Sequence, residues 1–187
     1  MMMRLGLTMA VLAAGAAGAQ VTNLEAPGNL AATVDPGCVT MAGADVRLSP
    51  PDLGLGVRAC VGQGDWDAAA DLYALMLLRA TFDIKRVEDA SAHQAGDILS
   101  MQVTETLSET ELAKLGEALA KFADPAGAQK KAFCLAVTAA GVPQHDPAWM
   151  IQHGMGAFLG SEGDGLVKGF DAESAWALIL RQDMSCG

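Results

Sequence analysis

Helix-start signals recur along this chain, and no β-branched run alternates between apolar and polar residues with a period of two. Ser49-Pro50-Pro51-Asp52 offers an N-cap hydroxyl followed by proline, where a missing amide proton costs nothing. Ser108-Glu109-Thr110-Glu111 has the spacing of a capping box. We therefore predict an all-α fold of about seven helices, arranged as one disulfide-bonded helical bundle or hairpin array.

Glycines, prolines and acidic caps divide the chain into the predicted helices. The first is expected to end near Val61, and the third to cover residues 83–107. The sixth is expected to run from Asp146-Pro147 to about Phe158. The other predicted helix starts are Asp65, Ser108, Asp124 and Asp171.

The first nineteen residues have the pattern of a secretory signal peptide. Arg4 precedes the apolar residues 5–14, and Ala17-Gly18-Ala19 supplies the small residues of a cleavage site. The apolar stretch is shorter than the roughly 18 residues that span a bilayer. We expect cleavage after Ala19, no stable membrane anchor, and a periplasmic or secreted protein. Residues 20–48 are predicted to form an irregular N-terminal arm, and residues 49–187 a helical domain.

The charge of the chain restricts the partners that it can bind. The sequence contains 22 acidic and 12 basic residues, which gives a formal net charge of −10 at pH 7. Such a surface repels nucleic-acid phosphates and anionic lipids, so we expect neither as a ligand. A basic partner or a cation remains compatible with this charge, and the expected partner is another periplasmic protein.

Four cysteines, at positions 38, 60, 134 and 186, are widely spaced and form no CxxC pair. In an oxidising compartment, this arrangement indicates two structural disulfides. Sequence alone allows three pairings. We favour Cys38 with Cys60 and Cys134 with Cys186, because each pair then joins a poorly structured segment to a helix.

Parts of the chain resemble two known protein groups. Gly64-Asp65-Trp66, followed by Ala69 and Tyr73, resembles half of a tetratricopeptide or Sel1-like repeat. This resemblance implies a helical hairpin and a protein-binding scaffold, although Val57 stands where the repeat has glycine and no second copy follows. Residues 60–66, 82–87 and 150–155 together resemble a group of exported, all-helical proteobacterial proteins of uncharacterised role, which implies no catalytic residues.

The densest group of metal-donor side chains is Met150-Ile151-Gln152-His153-Gly154-Met155. On one helix Met155 would lie about 140° around the axis from Met150, so both thioethers and the imidazole do not converge on one copper(I) ion. We expect His153 to form a hydrogen bond inside the core. The candidate partner-binding residues are Trp149, Met150, His153 and Met155.

A second hypothesis places His93 opposite His153. Gly154 and Gly156 favour a close approach to another helix or to a ligand. With a carboxylate from Asp97 or Glu88, two imidazoles have the chemistry of a metal site or of a hydrolytic acid–base pair.

Established motifs of hydrolases are missing from the sequence. It contains neither G-x-S-x-G nor H-E-x-x-H, and no catalytic residue or cofactor is predicted. We therefore expect a non-catalytic protein-binding, accessory or inhibitor-type module. The alternative is a metal-binding protein or a hydrolytic enzyme that uses His93 and His153.

Overall fold

The structure is a computed structural model that describes residues 25–160 and 163–186. The predicted signal peptide, residues 1–19, lies outside the described residues, as do residues 20–24 of the predicted arm. Within the described ranges the fold is all-α, as predicted, with eight α-helices and no strand beyond one isolated bridge. The α-helices are α1 (Pro50–Gln63), α2 (Trp66–Arg86), α3 (Ala95–Thr104), α4 (Glu109–Ala120), α5 (Ala128–Ala140), α6 (Ala148–Ile151), α7 (Gly156–Leu159) and α8 (Ala172–Gln182). Three 3₁₀ helices occupy Met41–Gly43, Ala90–Ala92 and Lys121–Ala123.

Two of the predicted helix starts are confirmed as complete capping boxes. The Ser49 hydroxyl accepts a hydrogen bond from the Asp52 amide, and the Asp52 carboxylate accepts the Ser49 amide at 2.8 Å. Ser108 and Glu111 form the same reciprocal pair at the start of α4. These signals were readable because a cap depends on residues only three positions apart.

The predicted third helix, residues 83–107, is wrong in its first half. Asp83 lies inside α2, which continues to Arg86, and Val87 adopts an extended conformation that ends the helix. Val87 then forms an isolated antiparallel bridge with Leu166, and Asp89 caps a short 3₁₀ turn. Helical periodicity alone does not reveal this break, since the bridge partner lies far away in the sequence.

Two other predicted helices are also corrected. The sixth is divided into α6 and α7, because residues 152–155 form turns between them. The fifth starts at Ala128, with Gly127 as its N-cap, whereas Asp124 instead closes a turn by accepting the Ala126 amide.

Helix α2 is the centre of the fold and packs against α1, α3, α4, α5 and α8. Its buried face includes Leu72, Met76 and Phe82. Helix α1 packs closely against α3 because Gly54 of α1 has no side chain. A Cβ atom on Gly54 would lie 2.9 Å from Val103 Cγ2 of α3. None of the helices in the described part of the chain has the length and hydropathy needed to cross a bilayer.

The preferred disulfide pairing is confirmed. Cys38 is bonded to Cys60, which joins the N-terminal arm to α1, and the two sulfur atoms are 2.06 Å apart. Cys134 is bonded to Cys186 at 1.99 Å, which joins the segment after α8 to α5. All four cysteines are therefore used in structural cross-links.

Candidate functional site

The four candidate binding residues lie in different environments. Trp149 and Met150, in α6, are buried at 3% and 0% exposure. His153 is half-buried, and Met155 is exposed. Within the folded chain, a partner therefore has access to Met155 and part of His153, but not to Trp149 or Met150.

The two candidate metal-binding histidines have separate oxygen partners. His93 Nε2 lies 2.9 Å from the Val87 carbonyl oxygen, which only accepts, so Nε2 carries the proton and donates. His153 Nδ1 lies 2.8 Å from Asn29 Oδ1 in the N-terminal arm. Within residues 25–160 and 163–186, no three His, Cys, Asp or Glu side chains are grouped in a way that could hold a metal ion. The proposed carboxylate partners, Glu88 and Asp97, are exposed.

The close approach expected at Gly154 is made by the 3₁₀ turn around Asp89, not by a regular helix. A Cβ atom on Gly154 would lie 2.9 Å from Asp89 Cγ and 3.0 Å from Ala92 Cβ. Asp89 Oδ2 accepts the Gly156 amide at 2.8 Å, and the Ser91 hydroxyl oxygen accepts the Met155 amide at 2.8 Å. These contacts fix the backbone between α6 and α7.

Helix α7 carries an exposed apolar surface. Met155, Phe158 and Leu159 have exposures of 57%, 45% and 77%, and we call these three residues the 155–159 patch. A contiguous exposed apolar surface is a common feature of protein–protein interaction sites. The neighbouring residues Gly156 and Ala157 line a cavity of about 440 Å³. Three acidic residues share this cavity lining: Asp89, Asp146 and Asp164.

Acid is expected to release the contact between Asp89 and the backbone of Gly156. The Ser91 hydroxyl and the Gly156 amide both donate to the Asp89 carboxylate, which lowers its pKa below the ordinary 3.8. A lowered folded-state pKa stabilises the contact above the unfolded value, and the contribution is lost as pH falls through the folded one. We expect hydrogen-exchange protection of the Gly156 amide to fall selectively below pH 3.8. In Asp89→Asn, this pH dependence should disappear, and an unchanged dependence in that variant would contradict the assignment.

A buried polar network was missed by the sequence analysis. Asp83 is fully buried, and its Oδ1 accepts Arg86 Nε at 2.7 Å. Its Oδ2 accepts His145 Nε2 at 2.8 Å and Trp149 Nε1 at 2.7 Å. Arg86 Nη2 also donates to the His145 carbonyl oxygen at 2.8 Å. The network therefore joins the end of α2 to the segment that enters α6.

This network has the residue types of a catalytic dyad but not the access. The side chains of Asp83 and His145 are 0% and 1% exposed, so no substrate reaches them in the folded chain. His145 Nδ1 is buried without a partner among the described residues. The contact between Asp83 and His145 therefore has a structural role, because it holds the segment before α6 against the end of α2.

Comparison with known proteins identifies no relative: no family model, no curated protein and no solved structure matches this chain.

Proposed function

We propose that this chain is an exported, non-catalytic module that binds another protein through the 155–159 patch. The observation that carries the proposal is the combination of exposure and fixed geometry in one short segment. Asp89 and Ser91 bind the amides of Gly156 and Met155, so the apolar side chains extend from an ordered backbone. A surface ordered before binding loses little conformational entropy when a partner docks.

The charge beside the patch indicates the chemistry of the partner. Asp89, Asp146 and Asp164 line the cavity next to α7, and the whole chain has a formal net charge of −10. A partner that presents an apolar side chain flanked by lysine or arginine complements both features. The two disulfides and the signal-peptide pattern of residues 1–19 support an oxidising, extracytoplasmic compartment for this encounter.

The test is a quantitative pull-down from periplasmic extract with matched variants. Phe158→Asp/Leu159→Asp places two charges in the patch, whereas Leu135→Asp places one on α5, at a position whose exposure is close to that of Leu159. We expect the wild type and Leu135→Asp to retain the same partner, and the double variant to lose at least about tenfold of it. Retention by the wild type should also fall between about 0.15 M and about 1 M salt, because screening weakens the acidic contacts.

Three outcomes would contradict the proposal. These are failure of the wild type to retain a partner, equal retention by the double variant, and equal loss in Leu135→Asp. Circular dichroism and thermal unfolding of each variant serve as the folding control. We expect the fold to be retained, since all three substituted side chains are exposed.

A further inference from the structure

A second cavity, of about 470 Å³, lies between the end of α2 and the segment that leads into α8. Phe82 and Arg86 of α2 form one part of its lining, and Val167, Lys168 and Phe170 form another. It does not include the 155–159 patch. Its lining carries two basic side chains, Arg86 and Lys168, on a chain whose formal net charge is −10.

Arg86 is held in one orientation by the buried network. Its Nε and Nη2 atoms both lie 2.7 Å from Asp83 Oδ1, and Nη2 also donates to the His145 carbonyl oxygen. The guanidinium lies 5.0 Å from the centre of the Phe82 ring. Nη1 has no hydrogen-bond partner among the described residues and is not among their buried unpaired atoms. One guanidinium nitrogen thus remains available in a side chain that is already immobilised.

Other parts of the cavity lining are held by contacts of their own. The Phe82 and Phe170 rings pack edge to face, with their centres 5.5 Å apart. The Val167 amide donates to the Arg86 carbonyl oxygen at 2.8 Å, which holds the neighbouring Lys168 beside α2. Lys168 is exposed, so its flexible ammonium group is available for a ligand in the cavity.

We infer that this cavity binds a small organic monoanion, with a carboxylate at Arg86 Nη1 and Lys168 and a short apolar group against Phe170 and Val167. Arginine and lysine are the usual carboxylate partners, and a fixed guanidinium adds directionality to the contact. Asp164 also lines the cavity and opposes a second negative charge. A carboxylate therefore fits better than a phosphate dianion.

The test is a titration of the isotope-labelled folded protein with N-acetylphenylalanine, followed through the backbone amide resonances. We expect saturable shifts at Val167, Lys168 and Gly169. The neutral amide of the same compound, which lacks the carboxylate, should produce none at equal concentration. Inorganic phosphate should also leave these resonances unchanged, and saturable binding of phosphate would overturn the assignment to a monocarboxylate.

Variants of an exposed lysine separate the site from general charge effects. Lys168→Glu should weaken binding by at least about tenfold, since it exchanges an attractive charge for a repulsive one at close range. Lys168→Arg, which keeps the positive charge, should bind the compound with an affinity close to that of the wild type. Lys131→Glu makes the same charge change at an exposed lysine on α5, outside this cavity, and should leave the affinity unchanged. Equal affinities of Lys168→Glu and Lys131→Glu, or no saturable shift in the wild type, would overturn the inference.

Discussion

Replacement of Asp83 by asparagine is expected to lower the free energy of unfolding by about 3 to 5 kcal/mol, as the loss of one partner from a buried ion pair does. The carboxylate accepts hydrogen bonds from Arg86, His145 and Trp149 with both of its oxygens. An asparagine side chain presents an NH₂ group in place of one oxygen and has no charge to balance Arg86. At least one buried donor therefore loses its acceptor.

Asp67→Asn provides the matched control for Asp83→Asn, because it makes the same substitution on the same helix. The Asp67 carboxylate is 63% exposed and is paired with the exposed Lys121. Exposed ion pairs contribute about 0 to 1 kcal/mol, so this variant should remain close to the wild type in chemical denaturation. If the two variants lost equal stability, the buried carboxylate would not be the anchor that the geometry indicates.

The Asp83 network also shows where sequence reasoning reaches its limit. Aspartate is common at helix starts, and residue type and spacing therefore predict the beginning of a helix at Asp83. The true partners, His145 and Trp149, are separated from Asp83 by 62 and 66 residues. A readable signal did exist, because Arg79 and Asp83 continue the spacing of the buried residues Leu72, Leu75 and Met76 along α2.

The candidate binding residues illustrate the same limit. The binding residues predicted from the sequence lie between Trp149 and Met155, and the exposed 155–159 patch begins at the last of them. Local sequence does not decide which side chains face the core. Trp149, for example, is buried and donates a hydrogen bond to Asp83 of α2, which is distant in the sequence. Phe158 and Leu159 were not among the candidates, because an unbroken helix was expected and the turns at 152–155 reorient the residues of α7. By contrast, the two capping boxes were predictable from residue type and spacing. The cysteine pairing was chosen among three possibilities by which segments needed to be joined to a helix.

The N-terminal arm depends on a second buried carboxylate. Asp52 is 1% exposed, and its Oδ1 accepts the amides of Thr33 at 2.7 Å and Val34 at 2.8 Å. Its Oδ2 accepts the Ser49 amide at the start of α1. The other end of the arm is held differently: Arg79 Nη1 donates to the carbonyl oxygens of Asp45 and Leu48, and burial lowers the pKa of Arg79 to about 10.

Asp52→Ala is expected to lower the free energy of unfolding by about 2 to 4 kcal/mol, through loss of three charge-assisted hydrogen bonds, one of which is the carboxylate half of the capping box. Asp52→Asn should be milder, because its amide oxygen still accepts. The control is Asp35→Ala, which removes an exposed carboxylate that accepts only the nearby Gly37 amide. This control should lose less than about 1 kcal/mol. Denaturant unfolding of the three variants measures these differences.

Hydrogen exchange locates the effect of Asp52→Ala within the arm. The amides of Thr33 and Val34 should lose protection, because their acceptor is removed. The Leu30 amide should remain protected, since it donates to the Trp149 carbonyl oxygen at 3.1 Å, and the Cys38–Cys60 disulfide still holds the arm on α1. Loss of protection along the whole arm would mean that Asp52 anchors all of it, whereas unchanged protection at Thr33 and Val34 would contradict the role assigned to Asp52. A local loss between two retained anchors is the expected result, because each contact holds the arm independently of the others.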